Sequence, residues 1–156
     1  MNRTMVWVGL AALATSGLGC PKKEPDGQNT LTLQGLPGLT VQAPAETKVS
    51  KNAVGIGVML KGPGVSMTIG TQLDVDAKTL EEAKKNAESY SPADMSDEQL
   101  SDGYILTYTS KGDMGTNYWL VGRRKIGDTA YSCGVSSPKK EHQQSAIAIC
   151  KSLKKK

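Results

Sequence analysis

Apolar and polar positions alternate with a two-residue period in several short stretches of this chain and switch to a helical period in two others. Leu31 and Leu33, then Leu39 and Val41, alternate on either side of Gly35, Pro37 and Gly38, which predicts one or two short strands ending at Pro44. The strongest strand signal follows. Val54, Ile56, Val58 and Leu60 alternate with Gly55, Gly57, Met59 and Lys61, and after Gly62-Pro63-Gly64 the pattern resumes with Val65, Met67 and Ile69. This predicts a hairpin with one apolar face. Its other face carries Gly, Ser66, Thr68 and Gly70, small enough for close approach of a packing element or of a ligand.

The period then changes. Thr79 and Glu82 have the spacing of a capping box, and Leu80, Ala83, Ala87 and Tyr90 recur at helical intervals until Ser91-Pro92 stops them. Residues 93–102 show neither period and read as a loop with a helical turn around Ser96 to Leu100. Three strands are predicted next, Tyr104 to Ser110, Tyr118 to Ile126 and Thr129 to Val135, joined by a loop over Lys111 to Gly115 and a tight Gly127-Asp128 turn. Ser137 then caps a last helix with Pro138 at its first position, and Gln143, Ala146 or Ile147, Cys150 and Leu153 form its inward stripe. This order predicts an α+β domain over residues 31–156, an antiparallel sheet of about five to six strands flanked by two main helices.

The N-terminal apolar run has a different meaning. Arg3 precedes Met5 to Ala14, about ten apolar residues, whereas a membrane-spanning helix needs about 20. It reads as a secretory signal. Cys20 directly after Gly19 resembles the lipobox of bacterial lipoproteins, although Gly17 stands where that pattern has Leu and Leu18 sits one place nearer. The resemblance implies removal of residues 1–19, acylation of Cys20, and a lipid anchor that needs no transmembrane helix. The other reading is an ordinary secreted protein with Cys20 as a plain thiol. Residues 20–30, polar and containing Pro21 and Pro25, read as a flexible tether with a reach of about 35 Å.

With 156 residues, 22% of them charged and 38% hydrophobic, the chain suits one domain with a modest core that contains no Phe. Charge changes the picture only at the ends. The formal net charge is +4, yet between residues 27 and 150 twelve basic side chains face thirteen acidic ones, so the domain is nearly neutral. That disfavours nucleic acid as a partner. Lys154, Lys155 and Lys156 read as a solvated tail, with contact to anionic headgroups as the other reading. If lipid takes Cys20, then Cys133 and Cys150 remain as an even pair, and an oxidising compartment predicts their disulfide, pinning the last helix to the sheet.

Candidate chemistry is sparse. His142, the one His, reads as a solvated residue of the last helix. No nucleophile elbow, P-loop or zinc motif is present. Asp74-Val75-Asp76 places two carboxylates on one side of an extended segment, which suits a hard cation or favours the entry of the following helix. Arg123-Arg124-Lys125 reads as surface charge or edge protection. The candidate interaction surface is the loop tip with Lys111 and Asp113 together with Tyr118 and Trp119. An early strand pair, a hairpin, a helix beginning TLEEAKK, a three-strand meander and a closing AIAICKSLKK helix resemble the small bacterial lipoproteins with a PsbP/DcrB-like α/β sandwich, over residues 31–153. That resemblance implies an accessory, binding or assembly role at a membrane, with no catalytic motif. The expectation is therefore a non-enzymatic envelope lipoprotein without cofactor, on the outer membrane in preference to the inner, with an envelope protein or polymer as partner. The alternative is a metal-dependent hydrolase centred on Asp74 and Asp76.

Overall fold

A computed structural model describes residues 27–53, 55–113 and 115–156. The signal segment, Cys20 and the predicted strand start at Val54 lie outside the described residues. Ten strands and two helices form among those described. They run β1 (Gln28–Thr32), β2 (Leu39–Pro44), β3 (Lys48–Lys51), β4 (Val58–Gly62), β5 (Val65–Thr71), α1 (Leu80–Glu88), β6 (Ala93–Leu100), β7 (Gly103–Gly112), β8 (Gly115–Ile126), β9 (Thr129–Ser137), α2 (Lys140–Ser152) and β10 (Lys154–Lys155).

The α+β class holds, but the strand count of five to six is too low. The strands divide into a seven-stranded sheet in the order β3-β4-β5-β9-β8-β7-β6 and a three-stranded sheet, β1-β2-β10. Every pairing is antiparallel. β1 begins at Gln28 and so includes residues 28–30 of the stretch read as tether. Three strands escaped the pattern because none offers more than one apolar residue to the core, Val49 in β3 and Leu100 in β6. β3 is a short KVSK run, and β10 is two lysines whose backbone pairs with Leu39 and Thr40. β6, read as loop, is an edge strand exposed along nearly its whole length. It is held by its register with β7 and by Lys84–Asp97 and Lys151–Glu98 ion pairs at 3.0 and 2.6 Å. Charges on an exposed edge discourage pairing with another chain.

The large sheet has elements packed on both faces. On one face, α2 and the small sheet enclose the main core, with Leu33, Val41, Leu60, Ile69, Leu120 and Ile149 among its buried residues. On the other, α1 packs Ala83 and Ala87 over Tyr104, Leu106 and Tyr108. Neighbours on β7 alternate between the two, Ile105 joining the first core and Tyr104 and Leu106 the second, as a pleated strand requires.

The first helix forms as its cap predicts: the Thr79 hydroxyl accepts the Glu82 amide at 3.2 Å, while the Glu82 carboxylate reaches back to the Lys78 amide at 2.7 Å. The second starts later than expected. Ser137 ends β9, buried, and Lys139 stands at the cap without a side-chain bond, so Pro138 lies before the helix rather than in its first turn. The Ser137 hydroxyl accepts the Lys139 amide at 3.1 Å and pairs with His142 Nδ1 at 2.7 Å. His142 is thus half-buried and hydrogen-bonded, not solvated. The inward stripe of α2 contains Gln143, Ala146 and Cys150 as expected, and also Ile149.

Cys133 and Cys150 are bridged, with Cα atoms 6.1 Å apart. Gly122 makes room for the bridge. It lies opposite Cys133 in the ladder, and a Cβ there would stand 3.0 Å from the Cys150 sulfur.

Candidate functional site

The second face of the large sheet is only partly roofed. α1 lies over β7, and between this helix and the strands toward β5 a cleft of about 350 Å³ remains open. Successive residues of β8 face opposite ways, so Trp119, Val121 and Arg123 reach the cleft, while Leu120 belongs to the main core. Thr68 of β5 and Ser132 and Gly134 of β9 form its floor with small side chains. A shallower groove of about 410 Å³ shares Thr68, Trp119 and Gly134 with it and continues toward Met59 and Ser66.

One wall is aromatic. Trp119 stacks on Tyr108, its ladder partner, with ring centroids 5.7 Å apart and planes 7° apart, and Tyr90 leans on it from beyond α1 at 4.9 Å. The indole N–H donates to Ser110 Oγ at 2.8 Å, which fixes the ring. The other end is polar. Arg123 Nε donates to Gln72 Oε1 at 2.9 Å, Gln72 Nε2 donates to the Ala77 carbonyl at 2.8 Å, and the Tyr104 hydroxyl donates to the same carbonyl at 2.9 Å. Asp76 lines this end as well.

Burial pushes the Tyr104 phenol up to about 12, against the opposing pull of Arg123, and burial likewise pushes Tyr108 up to about 12. Both phenols are therefore held neutral in the fold. Their stabilisation is complete below the ordinary value of 10 and is lost as pH rises through 12. A spectrophotometric titration is expected to show two of the five tyrosines ionising about two pH units late, with the lag abolished in denaturant. Complete ionisation of the folded protein by about pH 11 would contradict this burial.

The sequence-derived candidates do not assemble into one surface. Trp119 forms the cleft wall, whereas Tyr118 lies on the opposite face of β8, paired with Thr109 and Ser137. Lys111 and Asp113 are exposed at the β7–β8 connection, where the strands run to Gly112 and from Gly115 and so take in most of the predicted loop. Asp74 and Asp76 sit on a turn, not on an extended segment: Asp76 Oδ2 accepts the Leu73 amide at 2.8 Å, and the Asp76 amide donates to the Leu73 carbonyl at 3.1 Å. Among the described residues, no group of three His, Cys, Asp or Glu side chains is placed to hold a metal ion. Arg123 and Arg124 split between the two faces as expected. β8 is an interior strand, however, so they protect no edge. Sequence reading missed Gln72, Tyr104, Tyr108 and Arg123 as cleft residues. The available signal was the run Tyr104-Ile105-Leu106, which is apolar at successive positions and therefore marks a strand covered on both faces.

No family profile and no curated protein sequence matches the chain. Among solved structures, its fold is similar to that of cyanobacterial PsbP (CyanoP) from Synechocystis sp. PCC 6803, with a TM-score of 0.52 and 8% identity, covering 88% of this chain and 97% of that one. The domain is thus a PsbP-like α+β sandwich, as its element order suggested. Among the described residues, no helix is long and apolar enough to cross a membrane.

Proposed function

We propose that this chain is a lipid-anchored lipoprotein of a bacterial cell envelope, attached through acylated Cys20, that works without catalysis as a binding or assembly accessory. The observation that carries the export reading is the Cys133–Cys150 bridge, because structural disulfides belong to oxidising compartments and this one follows a secretory signal pattern. The binding reading rests on the cleft under α1, where aromatic and small side chains line a volume within the range of small-molecule sites. The PsbP-like fold supports an accessory role in preference to a reaction. With β1 starting at Gln28, eight residue steps separate the domain from Cys20, a reach of at most about 29 Å. The cleft would then work close to the membrane surface, the outer membrane being favoured, on an envelope protein, polymer or small ligand.

Intact-mass measurement of membrane fractions tests the anchor. The expected species begins at Cys20 and carries acyl chains, and Cys20→Ser is expected to leave the membrane fraction. An unmodified Cys20, or a Cys20→Ser protein that stays membrane-bound, would refute the anchor.

A further inference from the structure

Arg123 and Arg124 are neighbours with opposite circumstances. The Arg124 guanidinium is engaged on both sides, by Asp102 and by the carbonyls of Cys150 and Lys151. Arg123, half-buried in the cleft, donates only through Nε, to Gln72 Oε1; Nη1 and Nη2 have no hydrogen-bond or ion-pair partner among the described residues. The residue is nevertheless held in place, because Gln72 is fixed by the Ala77 carbonyl that also receives the Tyr104 hydroxyl. A positioned, partly desolvated guanidinium with its Nη edge open is matched by a carboxylate, whose two oxygens take two N–H groups in one plane.

We propose that the cleft binds a small organic monocarboxylate with an aromatic or short apolar body, its carboxylate received by Arg123 and its body laid against Trp119 and Tyr90, with Tyr108 backing the indole. This rests on the reading of the chain as a binding module and names the ligand class for that module. The volume of about 350 Å³ lies near the lower end of the usual range for ligand sites, which favours a single ring or a chain of about six to eight carbons. Asp76 selects among anions. Its carboxylate lines the same cleft, bonded to the Leu73 amide and not ion-paired with Arg123, so its charge opposes a dianion such as phosphate more than a monoanion.

Trp119 is a reporter built into the site. The only other Trp, Trp7, lies in the signal segment that cleavage before Cys20 removes, and Trp7→Phe silences it in any uncleaved precursor, so the purified protein in zwitterionic lipid nanodiscs gives a fluorescence signal from the cleft alone. The probes are phenylacetate and hexanoate, their neutral amides, and inorganic phosphate. Both acids are expected to shift Trp119 emission saturably, with the amides and phosphate at least about tenfold weaker. Arg123→Gln is expected to weaken the acids about tenfold or more and to bring the acid-to-amide ratio close to one, and Asp76→Asn to tighten the acids. The acid-to-amide ratio of the unmodified cleft keeps the test decisive if Arg123→Gln perturbs folding. Equal binding of acids and amides would overturn the anion assignment while leaving a binding module, and absence of any acid binding would overturn the site itself. Failure of the Cys20 mass test would touch the anchor and neither of these.

Discussion

Reduction of the Cys133–Cys150 bridge, or its replacement in a Cys133→Ala/Cys150→Ala chain, is expected to lower unfolding stability by about 2–5 kcal/mol. The sulfurs join β9, near the middle of the large sheet, to the last turn of α2, closing a separation of 17 residues. Both cysteines are almost fully buried in the main core. The chain leaves α2 directly into β10, which pairs with β2, so the staple also holds the small sheet against the large one. The helix is not held by sulfur alone. Ile149 and Ala146 are buried, and Gln143 Nε2 donates to the carbonyls of Trp119 and Tyr108 at 2.7 and 3.3 Å. The reduced protein is therefore expected to keep its far-ultraviolet circular dichroism while α2 amides exchange faster with solvent than those of β8. Denaturant unfolding with and without reductant measures the loss, and a change below about 0.5 kcal/mol would mean the bridge constrains nothing that matters.

The parts of this fold that could be read in the sequence are those in which one side of an element meets a core. The β4–β5 hairpin and the β7–β8–β9 meander declare themselves by alternating or continuous apolar residues, and α1 by Thr79 and Glu82. β6 has nothing of the kind. Its ADMSDEQL sequence is fixed by backbone bonds to β7 and by side-chain pairs with Lys84 and Lys151, partners that are remote in the chain. β10 was illegible for the same reason: lysines pair with β2 because Leu153, buried just before them, delivers them there. The cysteine pair could be read because the N-terminal secretory pattern, the even number left after Cys20 and the inward placement point the same way. The cleft could not. It is made by the sequence-distant residues Gln72, Tyr90, Tyr104 and Arg123, and its position follows from α1 covering β7 while leaving β8, β9 and β5 open. Trp119 was picked out, but in company with Tyr118, which the strand period places on the other face.

Arg124→Met is expected to cost about 2–4 kcal/mol, close to the loss from breaking the disulfide, although it removes no covalent bond. Arg124 projects from β8 to the C-terminal end of α2. Its Nε lies 2.9 Å from both oxygens of Asp102 and Nη2 lies 2.8 Å from Oδ2, while Nη1 donates to the carbonyls of Cys150 at 2.6 Å and Lys151 at 2.7 Å. Those carbonyls belong to the last turn of the helix, where the Cys150 carbonyl has only the capping Leu153 amide at 3.2 Å besides Arg124 and where the macrodipole favours a cation. The Arg124 side chain is only 12% exposed. Met preserves much of its apolar stem, so the loss reports the guanidinium: an Asp102 carboxylate without its counter-ion, a Lys151 carbonyl without its Arg124 donor and a Cys150 carbonyl left with the Leu153 amide alone. Asp102→Asn, which leaves both carbonyl bonds in place, is expected to cost less, about 1–2 kcal/mol. Because Nη1 holds the carbonyl of the same Cys150 whose sulfur is bridged, Arg124→Met and reduction are expected to be non-additive by about 0.5 kcal/mol or more in a double-mutant cycle. Equilibrium unfolding of the four species measures all these quantities. An Arg124→Met protein within about 0.5 kcal/mol of the parent would show the ion pair to be solvated surface charge and remove its role in seating α2.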